Sequence, residues 1–150
     1  MAGKATYFSN ALLELVLNNA ATMLGLGDAA GPLGSVANGF GYLGLHTGDP
    51  GIGGSQTTSE VSYGSYSRVP IARDPGSKKW AVASQQAANT VVVSWPTASS
   101  GSVVASWLSY GTDSTGAGNV IYRGVLNQPI TITPGFPPQA QVGDLVIAEI

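Results

Sequence analysis

The sequence predicts a mainly β fold: a β-sandwich or jelly-roll-like barrel with one N-terminal α-helix and a glycine-rich extended arm. Three observations point there. From residue 42 onward, short runs rich in Val, Ile, Thr and aromatics alternate with clusters of Gly, Pro, Asn and Asp. Before residue 42, a single segment shows helical periodicity. The 21 glycines and 9 prolines supply turn positions throughout the 150 residues.

The helix is expected over residues 6–20, TYFSNALLELVLNNA. Phe8, Leu12, Leu15 and Val16 recur at i, i+4, i+7 and i+8 and mark one apolar face, with Ala11 beside it. Thr6 is the expected N-cap, and Asn18 with Asn19 marks the end. Leu13 and Leu17 carry the apolar surface beyond one stripe, so the helix must dock on a sheet of its own chain or of a neighbour. Residues 24–41, LGLGDAAGPLGSVANGFG, read as an irregular extended segment. It is long for a connection inside a compact domain, and an arm across a partner subunit or a flexible linker would each account for it. The organisation expected is residues 1–41 as helix and arm and residues 42–150 as the β-domain, one domain overall.

Strands are expected at 42–47, 66–73, 79–84, 89–95, 103–110, 119–126, 129–133 and 142–149. Turn chemistry separates them: DPGS, PTASSGS, DSTGAGN, NQP and TPGFPP. Pro70 demotes its strand to an edge or a bulge, because it has no amide hydrogen to give to a ladder.

Composition excludes several functions. With no cysteine, disulfide scaffolds, thiolate metal sites and cysteine nucleophiles drop out. No apolar run approaches the roughly 20 residues a spanning helix needs. The start, MAGKATYFSNALLELVLNN, has its apolar stretch broken by Glu14 and reads as no signal peptide. Charged residues make up only 9% of the chain, against roughly 25% in ordinary domains. Six scattered Lys and Arg do not build a phosphate-neutralising surface, so no nucleic acid partner is expected. A weakly charged surface suits a protein packed against other subunits.

The stretch LGLHTGDPGIGGSQTTSE, residues 43–60, contains the chain's one histidine, His46, with Asp49 and Glu60. A zinc site needs three or four ligands, and a lone His without Cys does not supply them. A Ser-His-Asp triad has serines in abundance but no G-x-S-x-G elbow. GDPGIGG lacks the Lys-Ser/Thr and following helix of a phosphate loop. The plain reading is a turn: Asp49 accepts from downstream amides, Pro50 pre-sets φ and Gly51 takes a positive φ. His46 then closes the preceding strand, facing solvent or bonding a carbonyl. No catalytic residue, metal or cofactor is expected.

The remaining signals read structurally. Asp113 and Asp144 sit in turns, Glu14 lies on the polar side of the helix, and RDPGSKKW (73–80) reads as a solvated hairpin tip. Trp80, Trp95 and Trp107 could form a stacking platform for a sugar, but their place inside strands favours core packing.

Taken in order, NALLELVL, LGLHTGDPG, TTSEVSYGSYSRVPIARD, KKWAVASQQAANTVVVSWPTASSG and VASWLSYGTDSTGAGNVIYRGVL resemble a family of small tailed-phage virion proteins. The shared pattern is a helix, a strand ending TxDPG, an EVS…YxR segment, a Trp-led strand and a GTxxSGAG turn. Such proteins are labelled tail-fibre-like, or act as capsid cement (decoration) proteins that clamp the major capsid shell as trimers. The resemblance implies a non-enzymatic virion protein at the capsid surface, assembled in the host cytoplasm. Its partners would be the major capsid protein and copies of itself as a homotrimer, with no nucleic acid and no membrane. Cement is the first expectation, because 150 residues leave no room for a fibre shaft. A tail or tail-fibre component is the alternative, and a carbohydrate-binding β-sandwich a further one. Inter-subunit contacts are expected from the helix and arm, with Phe8, Leu12, Leu13 and Leu17 as the contact residues.

Overall fold

A computed structural model describes residues 3–21 and 34–149. Residues 22–33, which hold most of the expected arm, lie outside the described residues. Among the described residues one helix, α1 (Thr6–Asn18), precedes nine strands: β1 (Phe40–His46), β2 (Val69–Ala72), β3 (Trp80–Ala83), β4 (Gln86–Asn89), β5 (Val93–Ser94), β6 (Val103–Gly111), β7 (Val120–Ile132), β8 (Gln139–Ala140) and β9 (Val146–Ala148). The class is the one expected, mainly β with antiparallel pairing consistent with a β-sandwich. Among the described residues the sheets run β2-β1-β6-β7, β3-β4-β9 and β5-β8.

The chain forms two compact units, each discontinuous in sequence. The first combines Met1–Phe40, Ala72–Val92 and Gln141–Ile150, and the second Gly41–Ile71 and Val93–Ala140. The helix therefore shares its unit with segments from within 42–150.

In the first unit α1 packs on β3 and β4. The face it buries differs from the expected one. Ser9, Leu13 and Leu17 turn inward, while Phe8 stays 39% exposed and Leu12, Leu15 and Val16 are half-buried. In the hairpin beneath, the pairs Trp80–Asn89 and Val82–Ala87 share the more buried face, and Leu13 and Leu17, which have no exposed surface, are buried in the same unit. Buried Asn18 fixes the rotation by donating to the Trp80 carbonyl at 2.9 Å. The N-cap is Ala5, not Thr6, and makes no side-chain bond. The other end is well finished: Asn19 adopts the left-handed conformation (φ 54°), and its amide bonds Glu14 O. Arg73 covers the last exposed carbonyls, donating from Nε to Val16 O (2.6 Å) and from Nη2 to Leu15 O (3.0 Å).

RDPGSKKW is not a hairpin tip, because β2 and β3 belong to different sheets. Asp74 does make the turn, accepting from Gly76 N at 2.9 Å. The true hairpin is β3–β4, where Ala83 faces Gln86 across a two-residue turn. Ser84 and Gln85 both take positive φ, 51° and 66°. That is the primed geometry two-residue hairpins prefer, usually supplied by Asn-Gly.

In the second unit β1 is central and glycine-dependent. A Cβ at Gly41 would stand 1.9 Å from the Tyr110 ring. Leu43, Leu45, Trp95, Ala105, Tyr110 and Ile132 are buried in this unit's core, and the Trp95 indole donates to Leu43 O at 3.2 Å. Pro70 sits on edge strand β2, as expected. The strands expected at 119–126 and 129–133 are one, β7, and NQP is no hairpin turn. Trp107 pairs with Val125 and Ala105 with Ile130, so residues 126–129 stand opposite Ser106 alone. The turn chemistry is spent on this wide bulge. The expected strand 89–95 is likewise broken between β4 and β5.

The Ser84–Gln85 turn yields a test. Replacing it by Asn-Gly (Ser84→Asn with Gln85→Gly) removes two side chains' left-handed strain and should stabilise the chain by about 0.5–1 kcal/mol. A rise in the urea midpoint with unchanged slope is the expected reading.

Candidate functional site

The residues singled out by sequence meet in the second unit. Strand β1 ends at His46, and the chain turns at Thr47–Gly51 and returns to make an isolated bridge between His46 and Glu60. The turn works as expected: Asp49 Oδ1 accepts from Gly51 N at 2.8 Å, and Gly51 has φ 78°. The Thr47 and Val61 amides donate to Ser59 O (2.8 Å) and Leu45 O (3.0 Å). Residues 47–68 thus form a strap laid along β1.

His46 does not face solvent. It has no exposed surface and sits between strap and sheet. Nδ1 lies 2.9 Å from Thr58 O, and Nε2 lies 2.7 Å from Ser109 Oγ on β6. A carbonyl only accepts, so Nδ1 carries the proton and Nε2 accepts from the Ser109 hydroxyl. The pair has the spacing of a nucleophile and its base. Ser109, however, is also without exposed surface, so its hydroxyl cannot meet a substrate. Burial holds the imidazole pKa below its usual 6.5. The Thr58 bond and Glu60 oppose that shift, and Arg68 adds to it.

Glu60 is committed as well. Its Oε1 accepts from Arg68 Nε (2.7 Å) and Tyr66 OH (3.0 Å), and its Oε2 accepts from Arg68 Nη2 (2.8 Å). The Tyr66 oxygen in turn accepts from Leu45 N at 3.0 Å, and burial pushes this phenol well above its ordinary pKa. Arg68 reaches further, from Nη1 to Asp113 O (2.9 Å) and from Nη2 to Gly116 O (2.8 Å). Buried Gln56 completes the joint: its backbone N–H donates to Gly118 O (2.8 Å), and its side-chain Oε1 accepts from Asp113 N (2.9 Å). Gly118 is obligatory here, since a Cβ would lie 2.3 Å from Gln56 Oε1.

Three sequence stretches therefore converge: the TGDPG turn, the EVS…YxR segment through Glu60, Tyr66 and Arg68, and the GTDSTGAG turn. Composition and spacing did not single out Arg68, Tyr66, Gln56 or Ser109 as site residues. The signal for Arg68 was a charge set before the apolar run Val69–Ala72 in the expected strand 66–73, which Arg73 closes. Among the described residues no three His, Asp or Glu side chains converge as a metal site. No described helix is long and apolar enough to cross a membrane.

The tryptophans divide. Trp80 and Trp95 are buried, at 1% and 3% exposure, whereas Trp107 on β6 is half-buried. The Arg123 guanidinium lies 5.8 Å from the Trp107 ring centroid and pairs with Asp49. Of the four expected contact residues, Leu13 and Leu17 fill the first unit's own core, and Phe8 and Leu12 retain surface.

The family model described as Podophage GP4 fiber I protein gp80 matches residues 3–148. The chain belongs to the podophage GP4 fiber I protein gp80 family. No curated protein matches it. Membership bears out the resemblance to small tailed-phage virion proteins and makes this a member of a phage structural family of the fibre kind. These three stretches lie within the matched residues.

Two outcomes test the site. Well above pH 6.5 His46 is neutral in both folded and unfolded chains and adds no pH dependence. Below it, the unfolded chain binds a proton that the buried ring resists, so stability should fall as pH drops from 7.5 to 5.5. His46→Gln should flatten that slope in denaturant titrations. Arg68→Met strands the Glu60 carboxylate and two carbonyls and should cost about 3–5 kcal/mol. Adding Glu60→Leu should recover only part of this loss, because the Asp113 and Gly116 carbonyls stay unpartnered.

Proposed function

We propose that the chain is a non-enzymatic structural component of a podophage fibre apparatus, acting as a pre-shaped block between other virion subunits. The observation that carries this reading is the family match over residues 3–148, whose description names a fibre. That description favours the tail or fibre component over the capsid cement that the sequence alone put first. Length weighed wrongly in that choice, since a fibre can be built of several chains and none need hold the whole shaft.

The geometry supports a structural role. The chain's reactive-looking groups are spent on internal bonds: His46 on Thr58 and Ser109, and Glu60 on Arg68 and Tyr66. Such a network rigidifies the second unit and offers no open nucleophile. With 9% charged residues, recognition of neighbours would rest on shape and apolar contact. Phe8, 39% exposed, and half-buried Leu12 are the members of the expected contact set available to a neighbouring subunit or another copy in a homotrimer.

Antibody to the purified chain, bound to intact virions and imaged with gold, locates it. Gold confined to the tail and its fibres is the expected result. Gold spread evenly over the head would restore the cement reading, and unlabelled virions would remove both.

A further inference from the structure

Cross-strand partners share a sheet face. His46 faces Trp107, Gly44 and Arg123 both face Ser109, and Val125 faces Trp107. These residues therefore line one face of the β2-β1-β6-β7 sheet. The strap 47–68 roofs its β1 side, where His46 and Ser109 have no exposed surface. Towards β7 the face opens: Trp107 and Arg123 are half-buried, and Val125 is 64% exposed.

At this open border three kinds of group stand together. The half-buried Trp107 indole keeps some exposed apolar surface beside the Arg123 guanidinium, which lies over its ring. Arg123 lies 5.8 Å from its centroid with a side chain 27% exposed, and Asp49 reaches Arg123 from the strap with its own side chain 41% exposed. Both recorded bonds to Asp49, from Gly51 N and Arg123 Nη1, end on Oδ1. Oδ2 is thus left to accept from a ligand. A guanidinium has five donors, and among the described residues one of them, on Nη1, is engaged, by Asp49. The pair is held in place while much of its bonding capacity faces outward. The chain's other arginines differ, since Arg68 is buried and Arg73 is taken up by helix carbonyls.

We propose that Trp107, Arg123 and Asp49 form a saccharide-binding subsite. This rests on the fibre reading for its biological setting but not for its chemistry. A sugar ring is amphipathic: its C–H face lies on an indole, and its hydroxyls both donate and accept. Asp49 Oδ2 takes a hydroxyl proton, and the free N–H groups of Arg123 donate to a neighbouring oxygen. Charge-assisted bonds of this kind are stronger than neutral ones and depend on direction. Val125 widens the apolar floor. Any carboxylate on the sugar would be attracted to Arg123, so acidic saccharides belong to the same class.

The test is a titration of the full chain, labelled with nitrogen-15, followed at its indole N–H signals. The Trp107 signal is identified by its loss in Trp107→Phe. The probes are glucose, galactose, N-acetylglucosamine, glucuronic acid and a bacterial lipopolysaccharide core oligosaccharide. At least one should shift the Trp107 signal saturably while leaving that of buried Trp95 in place. Arg123→Gln and Asp49→Asn, each on an exposed side chain, should each weaken that binding about tenfold or more. Circular dichroism confirms that each variant is folded, and the two variants report independently. The proposal is overturned if no probe moves the signal, or if binding is the same in both variants. It is also overturned if the signal follows protein concentration alone, which would make the patch a contact between copies. None of these results bears on where gold labels the virion, so the fibre reading stands or falls separately.

Discussion

The second unit is organised around one buried cation. Arg68 is 6% exposed, and its four described bonds reach three points of the loop system: two end on the Glu60 carboxylate, one on the Asp113 carbonyl and one on the Gly116 carbonyl. A buried guanidinium is tolerable only when its donors are matched. That requirement dictates the rest. Glu60 must return to the end of β1, which sets the length of the strap. The 112–119 turn must aim two carbonyls inward, and Gly118 must lack a side chain so that Gln56 can brace it. His46 is buried as a by-product, since the strap that delivers Glu60 also lies over the ring.

This arrangement also accounts for the unusual composition. In a chain with so few charges, two ion pairs join parts of the second unit: Arg68 with Glu60 within the strap, and Arg123 on β7 with Asp49 of the strap. In the first unit Lys78 reaches Glu14 and Lys4 reaches Glu149, again between segments distant in sequence. Charge serves internal joining more than surface repulsion. A protein held among neighbours can dispense with the latter, whereas a freely diffusing one depends on it for dispersal.

Much of this was legible in the sequence, and the failures have physical causes. Helix, β-class, most strand positions, the Asp49 turn and the edge position of β2 follow from local chemistry. The helix's buried face did not follow, because apolar residues occupy both Phe8–Leu12–Leu15 and Leu13–Leu17, and contact with a hairpin distant in sequence chose between them. The Ser84–Gln85 hairpin was invisible because it adopts a glycine-like backbone without glycine. At the site, the Asp49 turn was readable and the burial of His46 was not, since no local pattern reveals a chain that doubles back. The Glu60–Tyr66–Arg68 group stood in plain view within EVS…YxR, yet its geometry emerged only once both ends of the strap were placed.

The bulge at residues 126–129 has a consequence for assembly. Strand β7 lies at the border of its sheet and, at thirteen residues, would be an inviting template for a foreign strand. Four residues opposite one, ending in Pro129 with no amide hydrogen, interrupt the rhythm of donors and acceptors that such a strand would need. Lateral growth into an endless ribbon is thereby discouraged. An edge interrupted in this way leaves the sheet closed to casual pairing.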